Sequence, residues 1–240
     1  MRGDLVMKKL DKNARPNRDF KPVAFFRHIQ WWMGMFQEDP WLIGGIVLAV
    51  GVALIMLINP LSSGLFAAGF TSTTAEVMLI FAFQILYGNI YHLTGIIFTV
   101  FMAGLFGGAW FAGKIIPTPD KKKVIRVQLL LALLAIAIPV IAGGITGWPA
   151  IPVYILLLGF ALLAGLLTGL QFSTVSKVDK RSYAVLSSSV YSADLAGAAL
   201  GALLVGVFLI PNLGMILTGG IIALLNVGAA IVIFVNRKIS

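Results

Sequence analysis

Apolar runs of about 20 residues recur along this chain, and that is the length an α-helix needs to cross the hydrocarbon core of a bilayer. They fall at residues 41–59, 62–88, 94–113, 127–147, 151–172, 186–210 and 213–235. Two links between runs are very short: Gly147-Trp148-Pro149, and Pro211-Asn212-Leu213-Gly214. The runs they join are therefore antiparallel hairpins. Such a chain reads as all-α, a polytopic transmembrane helix bundle of six core helices plus one additional N-terminal hydrophobic helix. Composition agrees: 59% of the 240 residues are hydrophobic and 11% are charged, against about 25% charged in a soluble domain. Pro139 lies inside the fourth run and predicts a kink there.

The net charge of +9 sits in loops and ends, so it bears on orientation in a bilayer and not on nucleic acid. Two basic loops, 114–126 and 173–185, carry Lys114, Lys121, Lys122, Lys123, Arg126, Lys177, Lys180 and Arg181, and the C-terminus adds Arg237 and Lys238. The alternate links around Asn89, Trp148 and Asn212 carry no Lys or Arg. This alternation places the basic loops and the C-terminus in the cytoplasm, with the chain in the cell membrane as a multi-pass protein.

The chain divides into a basic arm with an aromatic segment (1–40), an extra hydrophobic helix (41–61) and a six-helix module (62–240). Residues 1–21 are polar and basic and lack the apolar core of a signal peptide. Residues 22–39 mix Phe25, Phe26, Trp31 and Trp32 with Arg27 and His28. That mixture suits an interfacial helix at headgroup depth, or a partner-binding segment. If 41–59 crosses, the arm lies outside with its basic residues. If the run lies flat or re-enters, all the charge is cytoplasmic. Its strong apolarity favours crossing.

Small residues repeat four apart at Gly104/Gly108 and Gly197/Gly201, which puts each pair on one helix face and predicts close backbone packing. Polar groups inside spans are costly and point to a site. The candidate intramembrane polar site comprises Glu76, Gln84, Tyr87, Tyr91, His92, Tyr191 and Asp194. There Glu76 and Asp194 bind a cation, carry protons or hold a polar substrate. The structural alternative makes them hydrogen-bonded packing or capping groups. With no cysteine and only His28 and His92, no cofactor and no metal site is expected. The glycines of Gly143-Gly144 and Gly219-Gly220 follow no soluble strand, so neither run is a nucleotide loop.

The stretches Gly69-Phe70 to Glu76, Phe83-Gln84-Ile85-Leu86-Tyr87-Gly88-Asn89-Ile90-Tyr91 and Phe101-Met102-Ala103-Gly104-Leu105-Phe106-Gly107-Gly108 resemble the membrane region of spermidine-synthase-like (polyamine aminopropyltransferase-like) integral membrane proteins. Gly165-Leu166-Leu167-Thr168-Gly169-Leu170-Gln171-Phe172, then Tyr191-Ser192-Ala193-Asp194-Leu195-Ala196-Gly197 and Leu209-Ile210-Pro211-Asn212-Leu213-Gly214, extend the resemblance over about residues 62 to 235. Ser173 and Thr174 depart from the proline often found after this phenylalanine. In that family the helices are commonly joined to a cytoplasmic aminopropyltransferase-like domain with a Rossmann-type fold. No glycine-rich strand–turn–helix is present here, so the family's catalytic residues have no positions to map onto, and no enzyme activity is expected. The leading expectation is a non-catalytic membrane subunit that anchors or completes a larger complex. Its partners are the bilayer and other subunits, which contact the N-terminal arm and the small-residue faces; none is nucleic acid. The alternatives are a transporter-like module for polyamines or other cations working as a dimer, and the membrane half of a split aminopropyltransferase.

Overall fold

The computed structural model describes residues 59–88, 91–115, 120–178 and 183–236, without the side chains of 91, 92, 115 and 183–187. The arm, the aromatic segment and nearly all of the extra hydrophobic run lie outside the described residues. The described chain is helical: α1 Pro60–Tyr87, α2 Tyr91–Ile115, α3 Lys121–Gly144, α4 Ala150–Val178 and α5 Tyr183–Leu204. A π-helical turn Val205–Leu209, a short α6 Ile210–Leu213 and finally α7 Met215–Val235 follow. By length and apolarity six spans are able to cross a membrane, with α5, the π turn and α6 forming one of them. Phe106, Ile151, Ile155, Leu224 and Phe234 are 69–74% exposed. An apolar outer surface of this kind belongs in lipid, and the chain is a membrane protein.

Local chemistry explains the boundaries. Pro60 occupies the first turn of α1, where its missing N–H is no loss. Gly88, at φ 80°, ends the helix, and its N–H donates to the Gln84 carbonyl at 2.9 Å. Two of the expected basic loops are shorter than apolarity suggests. Lys121 to Arg126 already belong to α3, and α4 runs on through Ser173, Thr174 and Lys177. Lysine and arginine are good helix formers whose heads reach water from a helix end, so the apolar run underestimates the helix. The expected link at Pro211 to Gly214 also contracts: Ile210–Leu213 is helical, and Gly214 at φ 83° alone makes the break.

The spans pack in pairs through bare backbone. A Cβ on Gly104 or Gly108 of α2 would collide with the carbonyls of Leu162 and Leu166. Reciprocally, a Cβ on Gly165 or Gly169 of α4 would meet those of Phe101 and Leu105. Numbers rise together along both helices, so α2 and α4 are parallel. Gly197 and Gly201 of α5 lie in the same way against Phe66 and Phe70 of α1, again parallel. The α3–α7 pair is antiparallel: Gln128 bonds Asn226, and Gly219 backs onto the Ala135 carbonyl. That is the carbonyl which Pro139, lacking an N–H, leaves without its helical donor. Helix α1 is central, touching α3, α4 and α7 as well as α5, whereas α2 rests chiefly on α4 and α5 chiefly on α1.

Basic side chains gather at the end of the bundle where α2, α4 and α7 finish. Lys177 Nζ donates to the Ala112 carbonyl at 3.0 Å, and Lys121 Nζ donates to the Asn236 carbonyl at 2.7 Å. Lys114 lies over the Trp110 ring, 3.9 Å from its centroid. Two of the lysines thus satisfy carbonyls at or near helix C-termini, where positive charge is favoured.

Candidate functional site

Helix α1 carries polar residues on two faces. Residues 66, 69 and 70 turn towards α5, and residues 64 and 71 turn towards α3, α4 and α7. The two faces treat their polar groups differently.

On the α3–α4–α7 side four fully buried residues form a directional hydrogen-bond chain. Gln171 Nε2 donates to Gln128 Oε1. Gln128 Nε2 donates to Asn226 Oδ1 at 2.7 Å. Asn226 Nδ2 donates to Thr71 Oγ1 at 2.7 Å and to the Ile222 carbonyl at 2.8 Å. Thr71 Oγ1 donates in turn to the Ala67 carbonyl at 2.7 Å. One residue from each of four helices is joined about 10–17 Å in from the basic end, at 1.5 Å rise per residue. Gly64 makes room, since a Cβ there would lie 3.4 Å from Gln128 Oε1 and 2.9 Å from Ile233 Cδ1. The chain has an open head, because Gln171 Oε1 is buried and accepts no hydrogen bond. Sequence reasoning missed Gln128, Gln171 and Asn226. The available signal was an uncharged amide within each of three apolar runs.

On the α5 side lie Glu76 and Asp194. Asp194 sits against Gly69: a Cβ at 69 would be 2.8 Å from Asp194 Oδ1. Asp194 Oδ1 and Glu76 Oε1 are buried and have no hydrogen-bond partner. Glu76 is seven residues beyond Gly69, about 10.5 Å further along α1. The two carboxyl groups thus share one helix seam at different depths. Tyr191 is one turn before Asp194 but points outward, 59% exposed.

The remaining predicted residues gather at the other end. Tyr87 OH donates to the Ala150 carbonyl at 3.3 Å, and its ring stacks on Tyr154 with centroids 4.7 Å apart. Phe83 completes this group, 5.4 Å from Tyr154. Gln84 is exposed. The side chains of Tyr91 and His92 lie outside the described residues. Tyr87 is eleven residues past Glu76, about 16 Å along the helix, so the far-end group is separate from the seam. Among the described residues no group of three His, Cys, Asp or Glu is placed to hold a metal ion.

No protein-family model matches the chain, and no solved structure matches it. It is similar to a protein named polyamine aminopropyltransferase from Leptospira interrogans serogroup Icterohaemorrhagiae serovar copenhageni (strain Fiocruz L1-130). The two are 30% identical over 129 residues, which is 52% of this chain and 25% of that protein. The chain thus covers about a quarter of this relative's length. A partial relationship of this kind is consistent with the spermidine-synthase-like resemblance.

Proposed function

We propose that the protein is a non-catalytic membrane subunit that anchors or completes a larger assembly in the cytoplasmic membrane, with its basic end facing the cytoplasm. The observation that carries this reading is the partial similarity. The relative is named for aminopropyl transfer, yet the match covers only 25% of it. A bundle of membrane helices accounts for that shared quarter, and on this reading the transfer chemistry belongs to the rest of the relative. The glycine-packed pairs support it as well. They make a stiff scaffold whose outer helices α2 and α5 each lean chiefly on one neighbour and so present broad faces to whatever lies beside them.

Native mass analysis after mild detergent extraction from the source membrane tests the proposal. A particle that contains this chain together with different chains is the expected result. A species made of this chain alone, whether monomer or homo-oligomer, overturns it.

A further inference from the structure

Three buried oxygens that accept or donate no hydrogen bond lie along the contact between α1 and α5: Ser62 Oγ, Asp194 Oδ1 and Glu76 Oε1. Positions 62, 69 and 76 are seven apart on α1, so they share one face, two turns and about 10.5 Å between successive levels. The face is the one that meets α5, because Phe66, Gly69 and Phe70 lie on it against Gly197, Asp194 and Gly201. Ser62, 1% exposed, is nearest the basic end. Asp194 is level with Gly69. Glu76 is deepest, beside Val77, which meets Gly206 of the π turn Val205–Leu209. π turns within α-helices occur frequently at functional sites.

The missing partners are selective. Four other hydroxyls of α1 (Ser63, Thr71, Ser72 and Thr74) each donate to a carbonyl of their own helix, while Thr73 makes no such bond. Ser62 does not, and the two carboxyl groups have nothing to accept from. Among the described residues α1 and α5 carry no Lys, Arg or His. On the other helices that contact α1, the charged groups Lys114, Lys121, Lys122, Lys123, Arg126 and Lys177 stand at the basic end, His92 stands at the opposite end of α2, and α7 carries none. The two acids are half-buried, each with one buried oxygen, and acids inside a span with no counter-charge beside them among the described residues are costly and mark ion or proton pathways. The spacing decides the class of ion. Divalent cations such as Ca2+ and Mg2+ gather several oxygens at about 2.0–2.6 Å, which carboxyl groups about two turns apart do not offer. Each acid is suited to a single positive charge.

We infer that the α1–α5 seam is a binding site for monovalent cations, with Asp194 and Glu76 as two successive stations and Ser62 at its mouth on the basic end. The inference does not depend on the subunit reading, and its test uses the purified full chain.

The full chain in lipid nanodiscs is melted at constant ionic strength while N-methylglucamine is replaced by Na+, K+ or methylammonium, and separately while pH is varied. Infrared difference spectra record the carboxyl stretches. At least one alkali ion, the ammonium probe or the proton raises the unfolding midpoint and changes a carboxyl band. Asp194→Asn and Glu76→Gln each remove one band component and most of the midpoint shift, and the double variant removes all of it. The arms separate the proton from the other cations, because only protonation adds a carboxylic acid band. Two outcomes overturn the site: a response that neither single variant reduces, or a double variant that keeps the full response of midpoint and carboxyl bands. Should the double variant fail to fold, the single variants decide: a midpoint shift and carboxyl bands that each of them leaves whole overturn the site.

Discussion

Asn226 occupies a position that few single residues hold: it accepts from Gln128, donates to Thr71 and donates to its own helix, all without solvent. Replacing it by leucine strands the Gln128 amide. A buried donor left unmade costs about 1–3 kcal/mol, although interhelical hydrogen bonds in membranes average nearer 0.6 kcal/mol. Asn226→Leu should therefore destabilise by about 1–2 kcal/mol, read as a lower thermal midpoint in detergent. Gln171→Leu should cost less, because it removes the unpartnered Oε1 along with one hydrogen bond. Equal losses in the two variants would contradict a chain that runs from Gln171 to Thr71. None of this chain was legible beforehand. Its members are 43 and 98 residues apart in sequence, each is a lone amide in an apolar run, and ionisable residues outrank amides when burial cost is the guide. Glu76 and Asp194 stood out for that reason. That both lie on the α1–α5 seam, two turns apart, follows from the helix pairing, which no spacing within one run reveals.

At the scale of elements, glycine works here by position and not by number. Gly108 and Gly107 are neighbours on α2, but a Cβ on Gly108 strikes the Leu166 carbonyl while one on Gly107 meets nothing within 4 Å. Gly108→Ala should push α2 from α4 and cost about 1–3 kcal/mol, the usual range for overpacking. Gly107→Ala should be neutral or stabilise by up to about 1 kcal/mol, since alanine favours the helix. Thermal melts of the two variants side by side check the difference, and a comparable loss in both would show that the α2–α4 contact is looser than the structure places it. A sharper case is Gly69→Ala, where the new methyl meets both the backbone and the carboxyl of Asp194. It should lower the midpoint and, in the same cation titration, weaken the response at the Asp194 station. The existence of each span was legible, because an apolar run of about 20 residues has few other uses. The helix ends were not. Lys121 to Arg126 and Ser173 to Lys177 are polar yet helical, since hydropathy reports where a side chain prefers to be and says nothing of the backbone beneath it.

The whole molecule obeys one constraint: each crossing must reverse the chain. The pairs found are the ones such reversal permits. First and fifth spans are parallel, second and fourth are parallel, and third and sixth are antiparallel. Every span start or finish that carries lysine or arginine consequently falls at the same end. The absence of cysteine from the sequence makes the orientation directly measurable, because a single introduced thiol has no background. Lys122 and Trp148 are both exposed, and α3, 24 residues long, separates them by about 36 Å, more than the roughly 30 Å hydrocarbon core. With the basic end inside, Trp148→Cys should react with a membrane-impermeant maleimide in intact cells, and Lys122→Cys only after permeabilisation. The reverse pattern would invert the molecule. Reaction of both from one side would mean that α3 does not span, and the antiparallel α3–α7 pair with its buried amides would then have to sit outside the hydrocarbon core, against the apolar surface that surrounds it.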